Sequence, residues 1–208
     1  MPEFADADVI SSPEALRALY GEPSKRSLVK EVDHIAEVYR PFIETAPFVL
    51  VASVGPEGVD VSPRGDPQGF VRVADPKTLY LPDRRGNNRA DTLMNVVRDP
   101  RLSLLFMIPG VGETMRVTGH GRVVVNQDLC EQLAEQGKPA RSVLVVDVHA
   151  AYFQCQKALA RSRLWDPAAQ VSRGTVPTAG DMIKFFDADF DSAAYDAGYA
   201  DYMKETIY

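Results

Sequence analysis

Two segments of the sequence combine arginines with small polar residues and a glycine. Residues 62–66 (SPRGD) end a predicted strand, and residues 82–89 (PDRRGNNR) precede a predicted helix. A guanidinium group matches phosphate oxygens and makes charge-assisted hydrogen bonds, which are the stronger kind. The free N–H groups at a helix N terminus also favour an anion. Together the two segments predict a pocket for a phosphate monoester.

The alternative is that both segments are ordinary surface turns, because glycine, proline, asparagine and aspartate are the residues that turns require. The two interpretations differ in whether the side chains converge on one ligand. Under the first, the contacts come from both segments: Ser62, Pro63, Arg64, Gly65, Asp83, Arg84, Asn87, Asn88 and Arg89.

Two later places carry further polar or aromatic candidates. Thr114 and Arg116 share one face of a predicted strand, because side chains alternate along a strand, and they either line a polar cleft or point to solvent. Trp165, the one tryptophan, follows Arg161 near a helix end. A tryptophan there anchors a core or an interface, or else packs beside an aromatic cofactor.

Most familiar catalytic patterns are absent from the sequence. The three histidines have no partner at metal-ligand spacing, and no C-x-x-C or H-E-x-x-H occurs. No serine lies in a nucleophile-elbow context. The glycines of residues 110–112 lack the surroundings of a dinucleotide fingerprint and are expected in a hairpin turn. Hydrolase and metal-enzyme functions are disfavoured, no metal is expected, and no catalytic side chain is assigned.

Composition limits the class of protein and of partner. The chain has 208 residues, of which 45% are hydrophobic, and a formal net charge of -6. An acidic chain repels nucleic acid and anionic membrane surfaces, so neither is expected as a partner, and a small anion suits the local arginines better. No signal-peptide pattern or membrane-length apolar run is found. We expect a cytoplasmic protein with reduced cysteines.

Periodicity predicts helices at both ends and strands between them. Helices are expected near residues 13–20, 25–45, 89–97, 127–135 and 149–164 and in the tail. Strands are expected at 48–54, 59–62, 70–74, 78–81, 101–108, 114–125 and 142–148. Because helices do not regularly separate the strands, an antiparallel barrel carrying helices is favoured over a parallel α/β sheet.

The same segments, in this order, resemble the FMN-binding proteins related to pyridoxamine 5'-phosphate oxidase. The resemblance spans about residues 28–167 and includes 48–53 (FVLVAS), 78–83 (TLYLPD), 86–93 (GNNRADTL), 99–106 (DPRLSLLF), 113–119 (ETMRVTG) and 157–167 (KALARSRLWDP). It implies an α+β, mainly β fold: a six-stranded antiparallel split barrel with flanking helices. Residues 1–46 would form an N-terminal helical segment, 47–167 the barrel and 168–208 an extension, all within one domain.

The resemblance also implies a cofactor and an assembly. FMN would lie at the interface of a homodimer, its phosphate held by Ser62, Arg64, Asn88 and Arg89, and its ring near Thr114 or Arg116. A cation such as Arg116 near the pyrimidine end would stabilise the reduced flavin. The segment from Arg161 to Trp165 would reach the partner's site.

The expected activity is that of an FMN-dependent oxidoreductase with an unassigned small-molecule substrate. Gln154, expected in a helix, replaces a histidine common in related sequences, and the oxidase's own substrate-phosphate contacts have no secure counterpart. Pyridoxamine phosphate is therefore not expected as substrate. Two alternatives stay open: a module that binds flavin, F420 or heme without turnover, and a structural interaction protein with an empty barrel.

Overall fold

The computed structural model describes residues 4–208, and contacts divide it into two units, the first ending at Glu31 and the second comprising Val32–Tyr208. The first unit contains two helices, α1 (Pro13–Tyr20) and α2 (Lys25–Leu28). In α1 the Ser12 side chain accepts a hydrogen bond from the Ala15 N–H, and Pro13 occupies the first turn, as the N-cap pattern predicts.

The second unit contains six α-helices and seven strands. Its helices are α3 (Arg40–Thr45), α4 (Asp91–Arg98), α5 (Gln127–Gln132), α6 (Lys157–Ser162), α7 (Ala179–Phe186) and α8 (Ser192–Thr206). Its strands are β1 (Phe48–Gly55), β2 (Gly58–Gly65), β3 (Arg72–Asp75), β4 (Thr78–Asp83), β5 (Arg101–Met107), β6 (Thr114–Val124) and β7 (Ser142–Gln154).

All seven strands form one antiparallel sheet in the order β2-β1-β5-β6-β7-β4-β3. Val51 on β1 and Leu79 on β4 lie four strands apart in this order, yet both are fully buried in the same hydrophobic cluster. The sheet therefore curves around its core. This curvature brings the end of β2 towards the end of β4, where the two arginine-containing segments begin.

Helix α4 covers one side of this core. Its Asn95 side chain donates a hydrogen bond to the Ser53 hydroxyl of β1 at 3.1 Å, and both side chains are buried. Beside it, a Cβ on Gly121 would lie 2.6 Å from a Leu102 methyl and 3.0 Å from a Val96 methyl. The helix is thus fixed against the sheet by one polar pair and by close packing over a glycine.

The α+β class is confirmed, with three corrections. The sheet has the seven strands that periodicity predicts and not the six that the resemblance implies, and residues 72–75 pair with β4 as a short edge strand. The predicted helix at 25–45 is two short helices separated by residues that are not helical. The predicted helix at 149–164 is wrong in its first part, since β7 continues to Gln154 and only Lys157–Ser162 is helical.

The predicted subdivision at 46/47 and 167/168 stays a prediction, and the first three residues of its 1–46 segment lie outside the described residues. Within residues 4–208, no helix combines the length and the apolar character that crossing a bilayer would need.

Candidate functional site

A cleft of about 630 Å³ lies where the ends of β2 and β4 meet. The predicted contacts that line it come from both segments: Pro63, Arg64, Gly65, Asp83, Arg84, Asn87 and Asn88. Phe70 and Ile207 add apolar surface. The fold therefore brings the two segments to one place, although β3 and most of β4 separate them in the chain.

Arg84 is engaged by the protein itself. Its Nε donates to Asp66 at 2.7 Å, and another guanidinium nitrogen donates to the Leu133 carbonyl at 2.8 Å. The Asp66 side chain is 1% exposed and that of Arg84 17%. The second carboxylate oxygen of Asp66 accepts from the Tyr208 hydroxyl at 2.6 Å. A buried carboxylate needs such partners, so Arg84 holds the wall of the cleft together.

Three other arginines line the cleft and take no part in the Arg84–Asp66 pair. Arg64 donates to the carbonyl of Pro63 at 2.9 Å, and Arg141 donates to the Asn88 side chain at 2.9 Å. Arg85 is exposed and makes no side-chain hydrogen bond or ion pair within residues 4–208. Each guanidinium carries five N–H groups, so all three retain donors for an anion.

Asp83 is a carboxylate among these cations. Burial raises its pKa above the usual 3.8, while the charges of Arg64, Arg141 and Arg84 act in the opposite direction. Burial thus favours the neutral carboxyl group of Asp83, whereas the neighbouring arginines favour its ionised carboxylate. When Asp83 is ionised, its negative charge offsets part of the positive potential of the cleft.

The loop before α4 has an unusual backbone. Asn88 and Ala90 have φ angles of 61° and 53°, in the left-handed region. Asparagine tolerates this region, but for alanine it costs about 1–2 kcal/mol. The Asn87 side chain accepts from the Arg89 N–H at 3.0 Å, and no side chain caps α4. The loop thus turns sharply and leaves the first amides of α4 without a side-chain partner.

Ser62 and Arg89 do not line this cleft. Ser62 is half-buried on β2 opposite Val51. The Arg89 side chain is 75% exposed, and its Nε donates to Asp91 at 2.8 Å. The predicted meeting of Arg64 with Arg89 is therefore not how the cleft is built, and the cleft-lining arginine from another element is Arg141. The role of Arg89 in ligand binding stays a prediction.

Thr114 and Arg116 lie on the sheet face opposite the core, as the alternation predicts, because Met115 and Val117 are core residues. Arg116 donates to the Tyr152 hydroxyl at 3.0 Å. The Thr114 hydroxyl lies 3.4 Å from the side-chain oxygen of Gln154. Gln154 is the last residue of β7 and not part of a helix.

Strand register connects this face with the cleft. Pro63 pairs with Leu50, Leu50 with Leu105, and Leu105 with Arg116, so one row of side chains crosses four strands. At about 4.8 Å per strand, Arg116 lies roughly 14 Å from Pro63 along the row. Leu50 and Leu105 are only half-buried, so this row is an apolar strip that runs from Pro63, which lines the cleft, to the polar Arg116.

Trp165 holds the segment after α6 against the turn between β5 and β6. Its indole N–H donates to the Val111 carbonyl at 2.8 Å, and the side chain is half-buried. Arg161 is exposed on α6, and neither residue lines the cleft. Within residues 4–208, no group of three or more histidine, cysteine, aspartate or glutamate side chains is placed to hold a metal ion.

Three residues of the cleft have roles that the sequence did not indicate. Asp66 belongs to the SPRGD segment, but nothing local shows that it is buried. Arg141 precedes β7, and its position follows from the pairing of that strand with β4. Tyr208 is 142 residues from Asp66 in the chain. No pattern in the sequence links these residues, because their contacts depend on the tertiary fold.

Solved structures with a similar chain path were found at low sequence identity. HupZ from Group A Streptococcus is 15% identical, with 56% of this chain and 91% of that chain covered and a TM-score of 0.47. A Lactobacillus delbrueckii protein described as a candidate pyridoxamine 5'-phosphate oxidase is 18% identical (58% and 99% covered, TM-score 0.45). An FMN-binding protein from Syntrophomonas wolfei is 11% identical (67% and 95% covered, TM-score 0.43).

A search of curated proteins gave no match. The family profile described as pyridoxamine 5'-phosphate oxidase matches residues 35–155. This is more than half of the chain, and it includes all seven strands. On this match, the chain belongs to the pyridoxamine 5'-phosphate oxidase family.

Proposed function

We propose that the chain binds FMN in the cleft and is an FMN-dependent oxidoreductase acting on a small molecule. The observation that carries the proposal is the set of donors from Arg64, Arg85, Arg141 and Asn87 around one cleft in a member of this family. Three guanidinium groups and an amide suit a phosphate dianion. The residues present therefore fit the phosphate end of FMN.

The apolar strip accounts for the other end of the ligand. With the phosphate in the cleft, the ring system would extend from Pro63 along the strip formed by Leu50 and Leu105 towards Arg116. The curved sheet would then correspond to the split barrel expected from the family, with the flavin on its outer face. Arg116, held by the Tyr152 hydroxyl, would supply a fixed positive charge beside the ring.

FMN supplies hydride or electron transfer when bound. The chain's own residues bind and orient it: arginines hold the phosphate, the half-buried leucines exclude water from one face, and Arg116 favours negative charge nearby. Ser62, Arg89, Thr114, Arg161 and Trp165 stay proposed contacts that would act only after assembly or ligand-induced movement, since none lines the cleft.

A homodimer would complete such a site. Phe48 lies on the same face of β1 as Leu50 and is more than a third exposed, and the apolar area of this face suits burial by a second copy. Sedimentation at micromolar concentration tests this, with a dimer as the expected result. A monomer that binds FMN fully would contradict it.

The test of the function is an absorption spectrum of the purified protein followed by fluorescence titration with FMN. Loss of a hydrogen bond to a charged group costs about 1.5–3 kcal/mol, so Arg64→Ala and Arg141→Ala should each weaken FMN binding roughly tenfold or more. Arg122→Ala is the matched control, because Arg122 pairs with Asp147 on the surface. A colourless protein that ignores added FMN would refute the proposal.

Turnover is tested separately. After photoreduction of the bound flavin, rapid reoxidation together with NAD(P)H consumption in steady state supports an oxidoreductase. Reduced flavin that persists in air with every acceptor tried would instead indicate a module that binds flavin without catalysis.

A further inference from the structure

The residues that follow α8 form one wall of the cleft. Ile207 and Tyr208 both line it. The Tyr208 hydroxyl donates to the buried Asp66 carboxylate at 2.6 Å, and the main-chain oxygen of Tyr208 accepts from the Lys138 ammonium at 2.7 Å. Tyr208 is therefore held at both its side chain and its backbone, each time by a charged partner.

A second pocket, of about 620 Å³, lies beside the cleft. Tyr208 lines both cavities, as do Arg85 and Arg141. Lys138 and Tyr202 line only the second. Tyr208 thus stands at the boundary between two cavities that share their basic side chains.

The second pocket has the chemistry of a nucleotide site. The Arg85 guanidinium, which lines both cavities, is suited to a further phosphate, and the ring of Tyr202, 57% exposed, offers a surface on which a base can stack. A ligand that continued beyond the phosphate in the first cavity towards this pocket would pass Tyr208, which its hydrogen bonds to Asp66 and Lys138 hold in place.

We propose that Tyr208 determines cofactor length: it restricts the site to ligands that end in a phosphate monoester and excludes those that continue into a dinucleotide. The proposal rests on the proposed function, because it assumes that the flavin phosphate lies in the first cavity. It assigns a role to a residue outside the segment that the family profile matches.

The experiment compares FMN with FAD on the full-length protein. Dissociation constants for both are measured by fluorescence titration for the wild type, Tyr208→Ala, Tyr208→Phe and the control Tyr20→Ala, whose tyrosine is 75% exposed. The wild type should prefer FMN at least tenfold. Tyr208→Ala should reduce that preference at least tenfold, mainly through tighter FAD binding, and Tyr208→Phe should have a smaller effect because the ring stays.

Lys138→Met removes the other anchor of Tyr208 and should shift the preference in the same direction, so the test does not depend on one variant folding. An unchanged preference in folded Tyr208→Ala and Lys138→Met, with FMN still bound, would overturn the role of Tyr208 and leave the proposed function intact. Failure of the wild type to bind either flavin would overturn both.

Discussion

Replacing Arg84 by methionine tests whether this arginine supports the fold or contacts the ligand. The substitution keeps an unbranched side chain of similar length and removes the guanidinium group. Asp66 would then keep Tyr208 as its hydrogen-bond partner but lose its cation. The Leu133 carbonyl would also lose its donor.

The expected magnitude follows from burial. Removing one partner of a buried ion pair costs about 3–5 kcal/mol, and with Asp66 1% and Arg84 17% exposed this pair belongs in that class. In a protein of this size, each kcal/mol lowers the midpoint of thermal unfolding by about 2–4 °C. We expect the midpoint to fall by roughly 6–20 °C.

The assays are thermal unfolding, for the midpoint, and urea unfolding, for the free energy, of Arg84→Met, Asp66→Asn and the double variant, with Arg122→Met as control. The control breaks an exposed pair and should cost less than about 1 kcal/mol. The double variant should be less destabilised than the sum of the two single variants, because removing the second charge relieves the first loss. If Arg84→Met costs no more than the control while FMN affinity falls as in Arg64→Ala, Arg84 is a ligand contact and the reasoning is wrong.

Three further predictions concern the cleft and the core. Asp83→Asn removes a negative charge beside the arginines and should tighten FMN binding by on the order of 1 kcal/mol, about fivefold; in isothermal titration, this advantage should shrink as the pH falls through the raised pKa of Asp83. Gly121→Ala should destabilise the protein by about 1–3 kcal/mol in urea, because its Cβ would overlap a Leu102 methyl, whereas Gly198→Ala, with open space around it, should not destabilise. The hydrogen bond to Asp66 raises the pKa of Tyr208 from 10.0 to about 12, so the stabilising contribution of the Tyr208 hydroxyl should be complete below pH 10 and lost as the pH rises towards 12. A difference in unfolding free energy between wild type and Tyr208→Phe that stays the same across that range would contradict this.

Local pattern was sufficient for most strands and for α4. Residues 48–54 and 101–108 are short, apolar and rich in β-branched or large side chains, and both form strands within a residue of the predicted ends. The helix predicted at 89–97 is α4, and it ends before Asp99-Pro100 as the proline requires. These elements could be predicted because their side-chain spacing and their end signals agree.

The two segments for which the predicted helix was wrong are in contact with each other in the fold. Val32, within the long helix expected at 25–45, exchanges two main-chain hydrogen bonds with Ala151, within the helix expected at 149–164. Ala151 is fully buried and also pairs with Val117 on β6. Helical spacing in both segments was real, but tertiary pairing of the backbone outweighs so weak a preference.

The site was predictable in part for a similar reason. The sequence pointed to the loops at 62–66 and 82–89 through their residue types, and the fold places both at one cleft. It did not show that Arg84 is neutralised by Asp66 or that Arg141 lines the cleft. Which arginine has donors available for a ligand depends on burial and on partners distant in sequence, and the local spacing of residues shows neither.

The 142 residues between Asp66 and Tyr208 have a consequence for biosynthesis. At about 5–20 residues per second, the ribosome needs on the order of ten seconds to make the tyrosine after the aspartate. In the last part of that interval, once β7 has been made and has brought the ends of β2 and β4 together, the nascent chain has the arginines of the cleft but not the wall that Tyr208 forms. A flavin that arrives early would therefore meet an open, unselective site, and discrimination by ligand length would begin only once translation has passed position 208.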